Sequence, residues 1–221
     1  MCNESAQKRG RFIVIEGIDG CGKTTQVKIL KKRIAEDGGY AFTTSEPTCK
    51  ASHAPTRAGA LLASVLKGKI KMPDSAIAGL FLTDRIMHNK DEKLGIDALL
   101  ARGSDVICTR YYYSSLAYQG SETDIERIKK LNLDRSDIRV PDICIFVDVS
   151  TEVALQRILG RGNKTEIYET SEKLDRVRKR FFEVFEMMKT EGRKDAVCIV
   201  DNSGSFGVAA EKVFQSVEKI R

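Results

Sequence analysis

The chain has 221 residues, 42% of them hydrophobic, with a formal charge of +6 and no tryptophan. That suits one soluble α/β domain with a sizeable core; the uncharged apolar stretches "FIVI" and "ICIFV" are strand-sized, far short of the roughly 20 residues that cross a bilayer. Basic residues alternate with 31 acidic ones, the pattern of a solvated face; this argues against a nucleic-acid or membrane partner and for a small anionic substrate.

Residues 1–10, "MCNESAQKRG", hold no apolar segment that could serve as a signal peptide, so they are expected to be a tail on a cytoplasmic protein. Strands are predicted at 12–15, 41–44, 106–109, 143–149 and 197–200, separated by helix-like segments, the pattern of a parallel sheet covered on both faces. A crossover helix is predicted over 24–37, with Val27, Leu30 and Ile34 on one face and Gly38-Gly39 as its stop. "PDS" at 73–75 reads as an N-cap for a helix that sets Ile77, Leu80 and Phe81 on one face; after the polar "HNKDEK" another helix should run to Gly103. Ser150-Thr151 caps a further helix. Residues 172–189 make a long one, whose Phe181, Phe185 and Met188 read as core. The six cysteines show no C-x-x-C spacing, and three fall in strand-like runs, so no disulfide framework is expected. No repeat or composition break marks a second domain.

The most informative stretch is "RFIVIEGIDGCGKTTQ". Gly17, Gly22, Lys23 and Thr24 satisfy G-x-x-x-x-G-K-[ST] where a strand turns into a helix, the context of a P-loop. The glycines let backbone N–H groups of Gly17, Ile18, Asp19, Gly20, Cys21, Gly22, Lys23, Thr24 and Thr25 curl toward phosphate oxygens, and the helix adds the positive end of its dipole. Lys23 can reach the β- and γ-phosphates, and the Thr24 hydroxyl can bind the Mg²⁺ between them. Arg110 follows the third strand, at the carboxyl edge where open α/β sheets bind ligands, and could clamp a second phosphate. Phe81 and Arg85 lie four apart on one helix face, so a ring and a guanidinium could share one space; pattern alone equally allows Phe81 as core and Arg85 paired with Asp84.

From the P-loop through "SEP", "LFLTDR", "TRYYYSSLAYQG" and "PDICIFVDV" to the basic "RILGRGNKTEIYE", the chain resembles thymidylate kinases. The resemblance implies a doubly wound five-stranded parallel sheet with a short lid at about 160–172, a homodimer, and Mg²⁺-dependent transfer of the ATP γ-phosphate to dTMP. It places the acceptor phosphate on Arg110, the base on Phe81 and Arg85, and Pro47 beside the base. Ser114, Ser115 and Tyr118 match base-edge and sugar-facing positions, with Tyr118 packed where a ribose 2′-hydroxyl would lie. Asp19 matches the carboxylate aimed at the acceptor sugar. Arg157, Arg161 and Lys164 match a basic lid over ATP; with Gly20 in the P-loop, the catalytic arginine is expected in the lid, at Arg161. Relatives carry Asp where Thr109 stands here, and many an arginine at Ile167. The missing charge near the metal is then expected from Glu16, Glu166 or above all Asp148, at the end of the fourth strand. The named base contacts would also suit UMP, dUMP or CMP, and Thr109 leaves open a module that binds nucleotide without catalysis.

Overall fold

A computed structural model describes residues 8–49, 55–120, 124–160, 171–193 and 195–220. Five parallel strands form one sheet in the order β2-β3-β1-β4-β5: β1 (Phe12–Glu16), β2 (Ala41–Ser45), β3 (Asp105–Thr109), β4 (Ile143–Asp148) and β5 (Val197–Asp201). Each lies within a residue or two of its predicted span. β1 is buried at every position, as a central strand covered on both faces must be. It pairs Ile15 with Thr109 of β3 and Glu16 with Phe146 of β4, so the carboxyl ends of β1, β3 and β4 form one edge.

The crossover helix α1 (Lys23–Glu36) buries Val27, Leu30 and Ile34, as their spacing predicts. α2 (Arg57–Leu66) has no counterpart among the predicted elements. α3 (Asp74–Lys90) departs from expectation in two ways. Its N-cap is Pro73, which has no side-chain acceptor, and Asp74 is the first helical residue, where its charge still favours the helix dipole. The helix also runs through His88, Asn89 and Lys90, so the polar stretch is no linker. Its buried residues are Ala78, Asp84, Arg85, His88 and Asn89, whereas Ile77, Leu80 and Phe81 are only half-buried.

The helix expected to end at Gly103 is a single short element, α4 (Ile96–Ala101). α5 (Tyr112–Gln119) follows β3 after Arg110 and Tyr111, and α6 (Ile125–Asn132) follows α5; neither was among the predicted elements. α7 (Thr151–Leu159) is capped by Ser150, whose Oγ accepts the Val153 N–H. α8 (Ser171–Thr190) buries Phe181, Phe185 and Met188; the first two rings pack on Phe146 of β4 at 5.0 and 5.3 Å. α9 (Phe206–Glu218) closes the fold against α1. No described helix is long and apolar enough to cross a membrane.

Candidate active site

The loop from Gly17 to Gly22 joins β1 to α1. Gly20 and Gly22 take φ of 80° and 102°, the left-handed region that glycine enters without strain. A Cβ at Gly20 would stand 2.3 Å from the Ala154 carbonyl of α7, so the loop is pressed against that helix. Lys23 Nζ donates to the carbonyls of Gly17 and Ile18 at 2.8 and 2.9 Å and lies 3.6 Å from Asp19 Oδ1. Its cation is thus held against its own loop. Cys21 and Ile18 are buried, Thr25 is half-buried, and Thr24 is exposed at the start of the helix.

Arg110 leaves β3 with φ of 63°, unusual for a residue with a side chain. That turn, fixed by its N–H on the Ile15 carbonyl at 3.1 Å, brings its guanidinium to the Asp19 carboxylate as an ion pair. The guanidinium carbon also lies over the Tyr118 ring, 5.1 Å from its centroid. Three predicted residues therefore meet here: Asp19 from the P-loop, Arg110 from β3 and Tyr118 from α5.

Glu16 is fully buried beneath them. Its carboxylate accepts the N–H groups of Tyr111 and Ser114 at 2.8 and 3.1 Å and the Ser114 hydroxyl at 2.8 Å, so it anchors the N-terminus of α5. Burial pushes its carboxyl above the ordinary 4.5, against the pull of Arg110 and these hydrogen bonds. The Ser114 hydroxyl is engaged by Glu16 in this arrangement. Asp148 stands beside β1, but Arg178 of α8 grips both of its oxygens, at 2.6 and 2.7 Å. Direct metal ligation by Asp148 would need that fork to open. Thr109, half-buried, directs its hydroxyl to the Thr44 carbonyl.

Arg85 is fully buried. It does not pair with Asp84: its Nε donates to Glu46 at 2.8 Å, its Nη2 to Ser115 at 3.1 Å, and its Nη1 to Asn132. Asp84 instead accepts from Thr48 and Thr56, tying the segment after β2 to α3. Pro47, half-buried, follows Glu46 through a cis peptide bond. Sequence reading missed Glu46, His88 and Asn132 as one group with Arg85 because they come from separate elements, after β2, on α3 and at the end of α6, and no local spacing joins them.

Arg157 of α7 bridges two loops. Its Nη1 donates to the Cys21 carbonyl of the P-loop, its Nη2 to the Asn202 carbonyl after β5, and its guanidinium covers the Phe206 ring at 4.6 Å. Arg161, Lys164, Glu166 and Ile167 lie outside the described residues.

A glycine-rich strand-to-helix loop with its lysine at the carboxyl edge of a parallel sheet, and an arginine facing it from the neighbouring strand, is the arrangement of the P-loop nucleotide-binding class. A family model described as thymidylate kinase matches residues 15–212. A protein named "Probable thymidylate kinase" from Pyrococcus horikoshii is 37% identical over 92% of this chain and 97% of its own length. One of the same name from Methanococcus aeolicus is 36% identical over 95% and 97%, and the "Thymidylate kinase" of Leptospira interrogans 33% over 87% and 91%. The chain belongs to the thymidylate kinase family.

Proposed function

We propose that the chain transfers the γ-phosphoryl group of ATP to dTMP, giving dTDP and ADP. The observation that carries this reading is the ion pair between Arg110 and Asp19, which joins the acceptor side of the cleft to the P-loop. In this reading ATP phosphates enter the loop, and Lys23 exchanges the Gly17 and Ile18 carbonyls for phosphate oxygens. Arg110 grips the dTMP phosphate, so the two reacting groups are aligned by adjacent strands rather than by a mobile contact. Asp19 then turns to the acceptor sugar, and Tyr118 stands beside C2′. Arg157 flanks the adenosine end, and Arg161 supplies positive charge to the phosphoryl group in transit.

A Mg²⁺ ion would be held by the Thr24 hydroxyl together with the bound nucleotide, and it would supply positive charge to the phosphates. The exposure of Thr24 at the loop's end fits that role, since Mg²⁺ keeps most of its water shell and needs few protein ligands. Asp148 would orient water of that shell rather than bind the ion while Arg178 holds it. The family resemblance extends the reading to a cytoplasmic homodimer acting on free nucleotides.

The test is ATP-dependent turnover of purified protein with dTMP, ribothymidine monophosphate, dUMP, UMP and dCMP. The expected order is dTMP first, a small loss for dUMP, and a large loss for the ribose form. The loss for dUMP reflects one methyl contact, about 1–3 kcal/mol. Equal kcat/KM for ribose and deoxyribose forms would remove Tyr118 from sugar selection, and no turnover with any of the five would leave a binding module.

A further inference from the structure

The carbonyl of Cys21, the residue before the last glycine of the P-loop, is gripped from outside by side chains of two other elements. Asn202, which follows β5, donates to it through Nδ2 at 2.7 Å, and Arg157 of α7 through Nη1 at 3.3 Å. Asn202 is fixed in turn. Its N–H donates to the Asp148 carbonyl at the end of β4 and its own carbonyl accepts from Arg157 Nη2, both at 2.8 Å, while its Oδ1 accepts from Gln26 Nε2 of α1 at 3.0 Å. Gln26 Nε2 also donates to the Phe206 carbonyl, 3.2 Å away. The partners settle which way both amides point: Cys21 and Phe206 each present a carbonyl, so each must meet an NH₂ group.

Asn202 and Gln26 are fully buried, and the Oε1 of Gln26 has no hydrogen-bond partner among the described residues. An unpaired buried acceptor is destabilising, so stability alone does not account for this pair of amides. What they do to Cys21 accounts for it better. A trans peptide is planar, with its C=O and N–H pointing in opposite directions. Holding the Cys21 carbonyl outward therefore turns the Gly22 N–H inward, to the concave side of the loop. Gly22 is built for that peptide: its φ of 102° lies in the left-handed region, and a Cβ there would stand 2.6 Å from Asn202 Nδ2. It is also the N-cap of α1, where backbone amides meet phosphate in a P-loop.

We propose that Asn202, held by Gln26, is a positioning residue of the phosphate cradle: it locks the Cys21–Gly22 peptide so that the Gly22 N–H meets a phosphate oxygen of the donor nucleotide. This rests on the nucleotide half of the function proposed above, in which donor phosphates occupy the P-loop, and not on the identity of the acceptor. An amide aimed beforehand needs no reorganisation when charge develops. Without Asn202 the peptide is free to turn, and a carbonyl oxygen can then face the phosphates in place of an N–H.

The experiment measures the Kd of ADP and of adenosine by calorimetry for the parent, Asn202→Ala and Asn202→Asp, with steady-state kinetics and thermal melting in parallel. The Asp variant keeps the acceptor for Gln26 and loses the donor to Cys21, so it isolates the contact that matters. In both variants the Kd of ADP and the KM for ATP should rise about tenfold, while the Kd of adenosine stays within about twofold and the KM for dTMP does not move. An equal loss for ADP and adenosine would place the effect at the purine end of the site and overturn the proposal. Lower melting temperatures with an unchanged Kd for ADP would make the network purely structural and overturn it as well. If Asn202→Ala fails to fold, Asn202→Asp decides. A parent that binds no ADP removes the nucleotide reading and this inference with it. A parent that binds ADP but phosphorylates no pyrimidine monophosphate removes the dTMP reading alone, and the Kd values still decide the role of Asn202.

Discussion

Lys23 rests on two carbonyls of its own loop, 2.8 and 2.9 Å away, contacts that phosphate oxygens would replace in the proposed function. In the proposed function Lys23→Ala should lower kcat by about 10²–10³ while the melting transition of the free protein changes little, because the lost cation holds the donor phosphates and its hold strengthens as charge develops in transit. Steady-state kinetics beside thermal melting checks both halves. Glu16 gives a test by pH. Its folded carboxyl titrates above 4.5, so between the unfolded and folded values the native state holds a proton that the unfolded chain has released. The contribution of Glu16 to stability is therefore complete below about pH 4.5 and declines as pH rises through the folded value. Relative to Glu16→Gln, which cannot titrate, the parent should lose stability over that rise. A stability difference that is flat with pH would contradict the burial-driven shift. At this scale the sequence shows the P-loop residues because their spacing is a chain-local property. The fork of Arg178 on Asp148 and the hold of Glu16 on Ser114 join residues 30 and 98 positions apart, and no spacing rule reaches them.

Elements were legible where periodicity matched burial. The five strands and α1, α7 and α8 follow their apolar patterns; α3 does not, since its most buried turns carry Asp84, Arg85, His88 and Asn89. A polar run is a solvent face only if nothing opposite can satisfy it, and here Glu46, Thr48, Asn132 and Tyr111 do. α5 was hidden for another reason: Tyr111, Tyr112 and Tyr113 are a strand-like run by propensity, yet Glu16 supplies the anchor that starts a helix there. Two caps differ in the same way. Ser150 makes one cap bond, to the Val153 N–H at 3.4 Å. Thr56 accepts the Gly59 N–H at 2.8 Å and also donates to Asp84. Ser150→Ala should cost about 0.5–1 kcal/mol, and Thr56→Ala about 2 kcal/mol or more, because the second also strips a donor from a buried carboxylate. Urea unfolding of both variants would show it, and equal losses would mean that Asp84 draws nothing from Thr56.

On the scale of the whole molecule, the strand order 2-3-1-4-5 sets Arg110 on one side of β1 and Arg157, from the α7 that follows β4, on the other, with the P-loop between. Alternating strands and helices made that layout readable as a class. The crossovers set the neighbours: β3 and β4 flank β1, while β2 and β5 lie at the edges. In the proposed function this layout would divide the labour of binding, the β3 side for the acceptor and the P-loop for the donor, and Asp19 touches Lys23 and Arg110 alike. Ligands that bind only the folded chain raise its stability by about 2.7 kcal/mol at a hundredfold excess over Kd, which for a chain of this size is a shift in Tm of roughly 5–10 °C. In the parent, dTMP and a non-hydrolysable ATP analogue should each produce such a shift. Arg110→Ala should abolish the shift from dTMP and keep most of that from the analogue, while Lys23→Ala should do the reverse. Thermal melts of the three proteins with each ligand decide the matter. If either variant loses both shifts equally while remaining folded, the two nucleotides do not bind through separable halves, and the ion pair of Asp19 with Arg110 is instead a single hub on which both sites depend.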